Sequence, residues 1–310
     1  FSWEIFVFLV QKVYKLPRVA LGILWEKKMK LTTFYKIYYR HRIKKASLLL
    51  KIYLITTVFF KYIFNIFYLP KTKNLDDYSK ENQNLFQKDL NYLCEYFNSD
   101  KGEKFKNQYD KPYKQDDKKI IAHGYARIYE KYLKEHKDKN LNIIELGSFY
   151  GNASAAFYFY FKNSQIYSAD INPDMYIYRS KRLNNFFTDT SSRSSIEINI
   201  LSRNIEFDLI IEDASHMLKD QIISLFILFK NLKSGGLFIV EEIDFPEKRE
   251  DMRIGQEFPD LKTILNKIIN KENFNSKYVN ENEKSYFLEN FDTIKFYTGN
   301  INEIAIIKKK

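Results

Sequence analysis

Strand and helix signals alternate from residue 141 to residue 242, and this alternation constrains the fold more than any other feature of the chain. Five apolar runs typical of buried strands are separated by segments whose apolar residues recur at helical spacing. The runs read LNIIEL, QIYSAD, NFFTD, FDLIIED and GGLFIVEE. Such alternation predicts an α/β fold, a doubly wound and mostly parallel sheet with helices on both faces. Two last runs, DTIKFYT and NEIAIIKK, are joined by GN, which predicts a C-terminal antiparallel hairpin and seven strands in all.

The N-terminal segment differs from the rest in charge. Residues 1–74 hold 15 of the 50 basic residues and 2 of the 39 acidic residues, which leaves 35 basic against 37 acidic residues in the remainder. The net charge of +11 therefore belongs to this segment. A basic surface is not expected on the α/β part, which argues against nucleic acid as a partner.

Two apolar windows, residues 3–16 and 46–70, predict helices in this segment, and Pro17 and Pro70 end them. Lys51 and Lys61 interrupt the second window, and a lysine at the centre of a bilayer costs roughly 2.5–3.5 kcal/mol. We therefore expect residues 1–70 to lie on an anionic membrane surface rather than to span it. The alternative is a helical hairpin that packs on its own core or on a partner in a homo-oligomer.

The expected organisation is a basic, apolar helical segment over residues 1–75 and an α/β domain over residues 84–310. The polar residues 71–83 between them are interpreted as a linker. A single cysteine, Cys94, excludes an internal disulfide and fits a reducing compartment. The sequence thus predicts a cytoplasmic location, peripheral on the inner face of the membrane if the N-terminal segment binds lipid.

The first strand of the α/β part leads into a glycine turn, Gly-Ser-Phe-Tyr-Gly-Asn. Gly147 permits a tight strand-to-helix turn, and Gly151 lets the backbone approach a ligand at the helix N-terminus. Phe149 stands where a dinucleotide-binding motif has its middle glycine, so the turn fits a ligand without a pyrophosphate. Asp170, which ends the second strand, is placed to bind the two hydroxyls of a ribose.

Acidic residues follow the strands at the edge where open parallel sheets bind ligands. Asp213 ends the fourth strand, and Glu241 and Glu242 end the fifth. Adjacent strands lie about 4.8 Å apart, so these carboxylates are expected to converge. Like charges so close are unfavourable unless a cation lies among them, and oxygen ligands suit Mg²⁺, Mn²⁺ or Ca²⁺. The alternative is a row of ordinary solvated strand ends.

Four segments together resemble the class I S-adenosylmethionine (SAM) methyltransferases, namely IIELGSFYGNAS, IYSADINP, FDLIIEDASH and GGLFIVEE. Within that class the chain resembles the metal-dependent sugar O-methyltransferases of macrolide and tetracenomycin biosynthesis, which have relatives in bacterial polysaccharide clusters. SDKG, HGYARIYEKYL and IKFYTGNINEIAIIKK are similar to the same group. The resemblance covers about residues 95–310 and does not extend to residues 1–75.

The resemblance implies a Rossmann-like fold, SAM and a divalent metal such as Mg²⁺ as cofactors, and a hydroxyl of a sugar or glycan as the acceptor. It implies a SAM site with the methionine part near Glu145, Gly147, Ser148 and Gly151, the ribose at Asp170, and the adenine amino group at Asp189. It places the metal on Asp213, Glu241 and Glu242. His216 is the implied general base, so that Asp213 and His216 are the expected catalytic residues.

Other interpretations remain open from the sequence alone. In an NAD(P)-dependent oxidoreductase Asp170 would also bind a ribose, although the middle glycine and a Tyr-x-x-x-Lys motif are missing. A non-catalytic, membrane-associated protein on a methyltransferase fold is a second alternative, although Asp213, His216, Glu241 and Glu242 argue against it. A separate alternative for His216 is a cap on the following helix. Lys101, Tyr109 and Tyr113 lie in a polar loop that is a candidate lid over the acceptor.

Overall fold

The computed structural model describes residues 47–57, 72–106 and 121–310, and it divides the chain into a unit over residues 1–67 and a unit over residues 68–310. The described part of the first unit is a helix over residues 48–57. In the described ranges no helix is both long enough and apolar enough to cross a membrane. The prediction that residues 1–70 bind a membrane surface falls almost wholly outside the described residues.

The second unit is built on a seven-stranded sheet in the order β5-β3-β2-β6-β7-β9-β8. Its strands are β2 (Asn142–Leu146), β3 (Gln165–Asp170), β5 (Leu183–Phe187), β6 (Phe207–Glu212), β7 (Leu232–Val240), β8 (Phe291–Thr298) and β9 (Glu303–Lys309). Two short strands, β1 (Lys73–Asn74) and β4 (Tyr178–Arg179), pair in a separate sheet. The first five strands of that order pair in parallel, and β9 pairs antiparallel with β7 and β8. The predicted mostly parallel sheet with a C-terminal antiparallel hairpin is confirmed.

Helices cover both faces of this sheet. They are α1 (Leu75–Glu81), α2 (Leu90–Tyr96), α3 (Ala126–Leu133), α4 (Asn152–Tyr160), α5 (Arg193–Asn199), α6 (Leu218–Leu228), α7 (Phe245–Lys248), α8 (Leu261–Ile269) and α9 (Glu281–Asn290). Successive residues of a strand point to opposite faces. Ile143 therefore packs in a core with α2, α3 and α4, while Ile144 packs in a second core with α6, α8 and α9.

Side-chain caps fix where several of these helices begin. Asp89 accepts a hydrogen bond from the Tyr92 backbone N–H at 2.7 Å, and Asp260 does the same for Thr263 at 2.8 Å. Asn280 and Glu283 form a reciprocal capping box at the start of α9. These caps satisfy backbone donors that have no partner within their own helix.

Two sequence interpretations were wrong. Residues 71–83 are not a linker, because Lys73 and Asn74 pair with β4 and the Leu75 side chain is fully buried in the core. Residues 174–183 form one of the segments with helical spacing between the predicted strands, but they do not form an α-helix. A short 3-10 helix ends at Met175, and the backbone after it is extended, since Ile177 donates to the Tyr150 carbonyl at 3.1 Å and accepts from Lys73 at 2.8 Å. The pairing of β1 with β4 therefore outweighs the helical pattern of this stretch.

Candidate active site

A cavity of about 490 Å³ lies at the carboxyl ends of the central parallel strands. The residues assigned from the sequence that line it are Glu145, Gly147, Ser148, Asp170, Asp213, His216 and Glu242. Gly151, Asp189 and Glu241 lie outside this lining set. The strand ends thus bring most of the predicted site residues to one cavity.

The turn between β2 and α4 requires its glycines. Gly147 has a φ of +87°, and a Cβ there would lie 1.9 Å from the backbone oxygen of Asp213. Gly151 has a φ of +80°, and a Cβ there would lie 2.4 Å from the Tyr176 ring. Side chains rarely adopt such a φ, so both positions are restricted by conformation as well as by space. The first glycine allows β2 and β6 to approach at the point where the cavity begins.

Asp170 holds this turn from the neighbouring strand. Its Oδ2 accepts a hydrogen bond from the Phe149 backbone N–H at 2.8 Å, and its Oδ1 accepts from the Asn172 N–H at 2.6 Å. In a dinucleotide site the turn's N–H groups would face a pyrophosphate. Here the Phe149 N–H is directed to a carboxylate instead, which argues against the oxidoreductase interpretation.

Glu145, in β2, and Asp189, after β5, lie in different environments. Glu145 is buried, its Oε2 accepts from Ser154 Oγ at 2.8 Å, and burial raises the pKa of its carboxyl. Asp189 Oδ1 accepts from the Ser191 backbone N–H at 3.1 Å and from the Ser191 hydroxyl at 2.6 Å. That carboxylate therefore orders the loop before α5, and the predicted contact with adenine stays a prediction.

Three acidic residues converge where β6 and β7 end. Glu212 pairs with Val240 in the parallel register, and the Glu241 N–H donates to the Glu212 carbonyl at 2.9 Å. Asp213 and Glu241 therefore follow aligned strand ends, as the sequence predicted. Glu242 comes next with a φ of +46°, an uncommon conformation for a residue with a side chain. Such conformations are often found at functional sites.

A buried lysine lies among these acids. Lys101 Nζ is 2.8 Å from Glu241 Oε1 and 3.6 Å from Glu145 Oε1, and it also pairs with Asp213 Oδ2. Its side chain is only 2% exposed. Burial alone would lower the pKa of Lys101, but the carboxylates outweigh it and raise that pKa well above its ordinary value. The lid interpretation of Lys101 is wrong, while Tyr109 and Tyr113 fall outside the described residues.

Two histidines contact Glu242, one at each carboxylate oxygen. His123 Nδ1 is 2.7 Å from Oε1, and His216 Nδ1 is 3.5 Å from Oε2. His216 Nε2 is 3.8 Å from Asp213 Oδ1. Both imidazoles line the cavity. The sequence analysis assigned no role to His123. The signal that could have found it is its position at the start of HGYARIYEKYL, a segment similar to the methyltransferase group.

Burial and neighbouring charges shift the pKa values of several groups in this cluster. Burial raises the pKa of Glu241 to about 7, although Lys101 opposes it. Burial would also raise the pKa of Glu242, but His216 and His123 outweigh it and hold that pKa at about 2. Burial lowers the pKa of His216, which favours its neutral imidazole. Glu145, Asp213 and Glu241 thus share Lys101, while Glu242 pairs with the two histidines.

The donor atoms of the cluster fit a divalent cation. Asp213, His216 and Glu242 offer three ligand atoms that lie within 4.8 Å of one another, and His123, Glu241 and Glu242 offer a second such group. Glu241 Oε2, Glu242 Oε2 and His216 Nδ1 are buried and have no hydrogen-bond partner in the part of the chain that the structure describes. Buried polar atoms without partners are unfavourable, and a bound cation would satisfy the two carboxylate oxygens.

Comparison with known proteins gives the fold. The 8-demethyl-8-α-L-rhamnosyl tetracenomycin-C 2′-O-methyltransferase of Streptomyces olivaceus is 25% identical over 128 residues, which are 39% of this chain and 33% of that protein. The MycE methyltransferase of mycinamycin biosynthesis, in complex with Mg, SAH and mycinamycin VI, superposes with a TM-score of 0.54 and 18% identity over 72% of this chain and 54% of MycE. The chain has the class I methyltransferase fold. No family model matches it.

The methyltransferase fold confirms the resemblance read from the sequence. A second crystal form of MycE, with Mg and SAH, gives a TM-score of 0.53 at 18% identity over 72% of this chain and 53% of that one. The chain spans a third of the tetracenomycin relative and about half of MycE. On this fold the cavity lies at the carboxyl edge of the parallel strands, where open α/β sheets bind their ligands.

Proposed function

We propose that this chain is a SAM-dependent O-methyltransferase that acts on a hydroxyl of a sugar or glycan with the help of a divalent metal. One observation carries the proposal, namely that Asp213, His216 and Glu242 converge beside a cavity whose other wall is the glycine turn and Asp170. The likeness to a rhamnosyl tetracenomycin 2′-O-methyltransferase and to a Mg- and SAH-bound methyltransferase supports it.

The glycine turn and Asp170 would bind SAM. Asp170 lines the cavity at the end of β3, where open α/β sheets bind their ligands. A carboxylate there can accept hydrogen bonds from the two hydroxyls of a ribose. Gly147 and Ser148 line the cavity next to it, on the side where the methionine part would lie.

Asp213 and Glu242 would hold the metal, with Glu241 and His216 beside them. A bound divalent cation lowers the pKa of a hydroxyl that it coordinates. This help is needed because an unaided sugar hydroxyl is far too weak an acid for an imidazole with a pKa of about 6.5. The carboxylates of this chain also fix where the acceptor hydroxyl can lie relative to His216.

His216 would act as the general base. Its Nδ1 is buried next to Glu242, so Nε2 is the nitrogen that would take the hydroxyl proton. As the proton leaves, the acceptor oxygen bonds to the methyl carbon of SAM and the carbon–sulfur bond breaks. The electron pair of that bond stays on sulfur, so that S-adenosylhomocysteine is released.

We expect Asp213→Asn and Glu242→Gln each to weaken the binding of Mg²⁺ or Mn²⁺ by at least about tenfold, because each removes a charged oxygen ligand. Calorimetric titration of the metal into the SAM-free protein measures this. Glu206→Gln is the matched control, since this exposed acid precedes β6 at the end opposite to Asp213 and should leave the affinity unchanged. Full methyl transfer after exhaustive EDTA treatment would contradict the metal part of the proposal.

A further inference from the structure

The backbone around His123 is fixed by two other parts of the chain. The His123 N–H donates to the Asp100 carbonyl at 2.7 Å, and the Gly124 N–H donates to the Gly102 carbonyl at 3.0 Å. The His123 carbonyl accepts from the Asn300 N–H at 2.7 Å, at the turn of the C-terminal hairpin. A Cβ on Gly299 would lie 2.4 Å from this carbonyl. The imidazole is therefore presented to the cavity from a defined position.

The contacts of Glu242 separate its two carboxylate oxygens. Oε1 forms an ion pair with His123 Nδ1 at 2.7 Å and accepts a hydrogen bond from the Tyr125 hydroxyl at 3.2 Å. Oε2 has no hydrogen-bond partner among the described residues and faces His216 Nδ1 at 3.5 Å. One oxygen is thus held, and the other is left for a ligand.

The main chain of Glu242 is fixed independently of His123. Gln221 Nε2 donates to the carbonyls of Glu241 at 3.1 Å and Glu242 at 3.2 Å. The terminal torsion of a glutamate side chain is broad, so these backbone contacts do not fix the carboxylate plane. The orientation of the Glu242 carboxylate plane is therefore set by the contacts of Oε1 with His123 and Tyr125.

We infer that His123 is a positioning residue whose ion pair with Glu242 Oε1 holds that oxygen and thereby directs Oε2 towards His216 and Asp213 as a metal ligand. The inference rests on the proposed function, because it assigns the donor that orients one of the proposed ligands. Partners of ligating side chains commonly change metal affinity by about 10–100-fold when they are removed. The Tyr125 hydroxyl is uncharged and lies at the longer distance, so it is the weaker of the two contacts of Oε1.

The test compares three variants by calorimetric titration of Mn²⁺ in the absence of SAM and acceptor. His123→Ala should weaken Mn²⁺ binding by about 10–100-fold. His123→Asn should stay close to wild type, because its side-chain N–H₂ can reach the position of Nδ1. Tyr125→Phe should have a smaller effect than His123→Ala. Unchanged SAM affinity in each variant shows that the fold and the glycine turn are intact.

Two outcomes would overturn the inference. Wild-type Mn²⁺ affinity in His123→Ala would show that the imidazole does not position the ligand, and equal losses in His123→Asn and His123→Ala would show that its shape matters rather than its donor. If the wild type itself binds no divalent cation, the metal part of the proposed function fails instead. A crystal structure of His123→Ala then decides the inference, because an unrotated Glu242 carboxylate would overturn it and a rotated one would support it.

Discussion

Replacing Lys101 with methionine is expected to lower the free energy of unfolding by about 3–5 kcal/mol, the usual effect of removing one partner from a buried ion pair. The reason is that Glu241 and Glu145 would keep their buried positions after losing the cation that lies 2.8 Å and 3.6 Å from them. Asp213 would lose the same partner. Urea denaturation followed by circular dichroism measures the change.

The exposed Lys104, in the same loop, supplies the matched control. Lys104→Met should change the unfolding free energy by less than about 0.5 kcal/mol, as surface substitutions usually do. Mg²⁺ should raise the melting temperature of Lys101→Met more than that of the wild type, because the variant has a larger excess of carboxylates. A loss below about 1 kcal/mol in Lys101→Met, with no added response to Mg²⁺, would show that the acids do not depend on this lysine.

The largest expected effect on turnover belongs to His216. His216→Ala should slow methyl transfer by about 10²–10⁴, the usual contribution of a positioned general base. SAM affinity should remain unchanged, since the glycine turn and Asp170 do not depend on this ring. The rate is measured with labelled SAM and a sugar acceptor that the wild type methylates.

Metal affinity separates the two roles that His216 could have. A general base can be removed with little loss of metal binding, whereas a ligand cannot. His136→Ala, at a half-buried histidine in the turn after α3, is the control for a histidine substitution as such. Wild-type turnover in His216→Ala would remove the base from the scheme. A loss of Mg²⁺ affinity as large as that of Asp213→Asn would make His216 a ligand.

The sheet and the main acidic residues could be predicted because their signals are local. Gly147 marks a turn that no side chain fits, and Asp213 and Glu241 each end an apolar run, so the parallel topology alone brings them together. The resemblance to methyltransferases rests on the same short segments. These features depend on neighbouring residues or on the regular geometry of strands.

Lys101 and His123 could not be placed because their environment is made by distant segments. SDKG and HGY pair through backbone hydrogen bonds, such as Gly124 N–H to the Gly102 carbonyl, across more than twenty residues of chain. A lysine in a polar loop ordinarily indicates an exposed side chain. Only the three carboxylates that meet at Lys101 Nζ explain why this one is buried.

The short N-terminal elements were missed for a related reason. Lys73 and Asn74 form a strand only because Tyr178 and Arg179 lie beside them. The polar composition of residues 71–83 conceals Leu75, whose side chain is fully buried. In both places tertiary contacts outweigh the local preference of the sequence.

Calorimetric titration of SAM into the full chain tests the central claim most directly, namely that the turn between β2 and α4 binds SAM with its ribose on Asp170. We expect saturable binding at one site per chain, weakened at least about tenfold in Asp170→Ala by the loss of charge-assisted hydrogen bonds. The control Asp138→Ala, at a surface ion pair with Lys162, should bind SAM as the wild type does. A folded wild-type chain that binds no SAM, or an Asp170→Ala variant with unchanged affinity, would contradict the account.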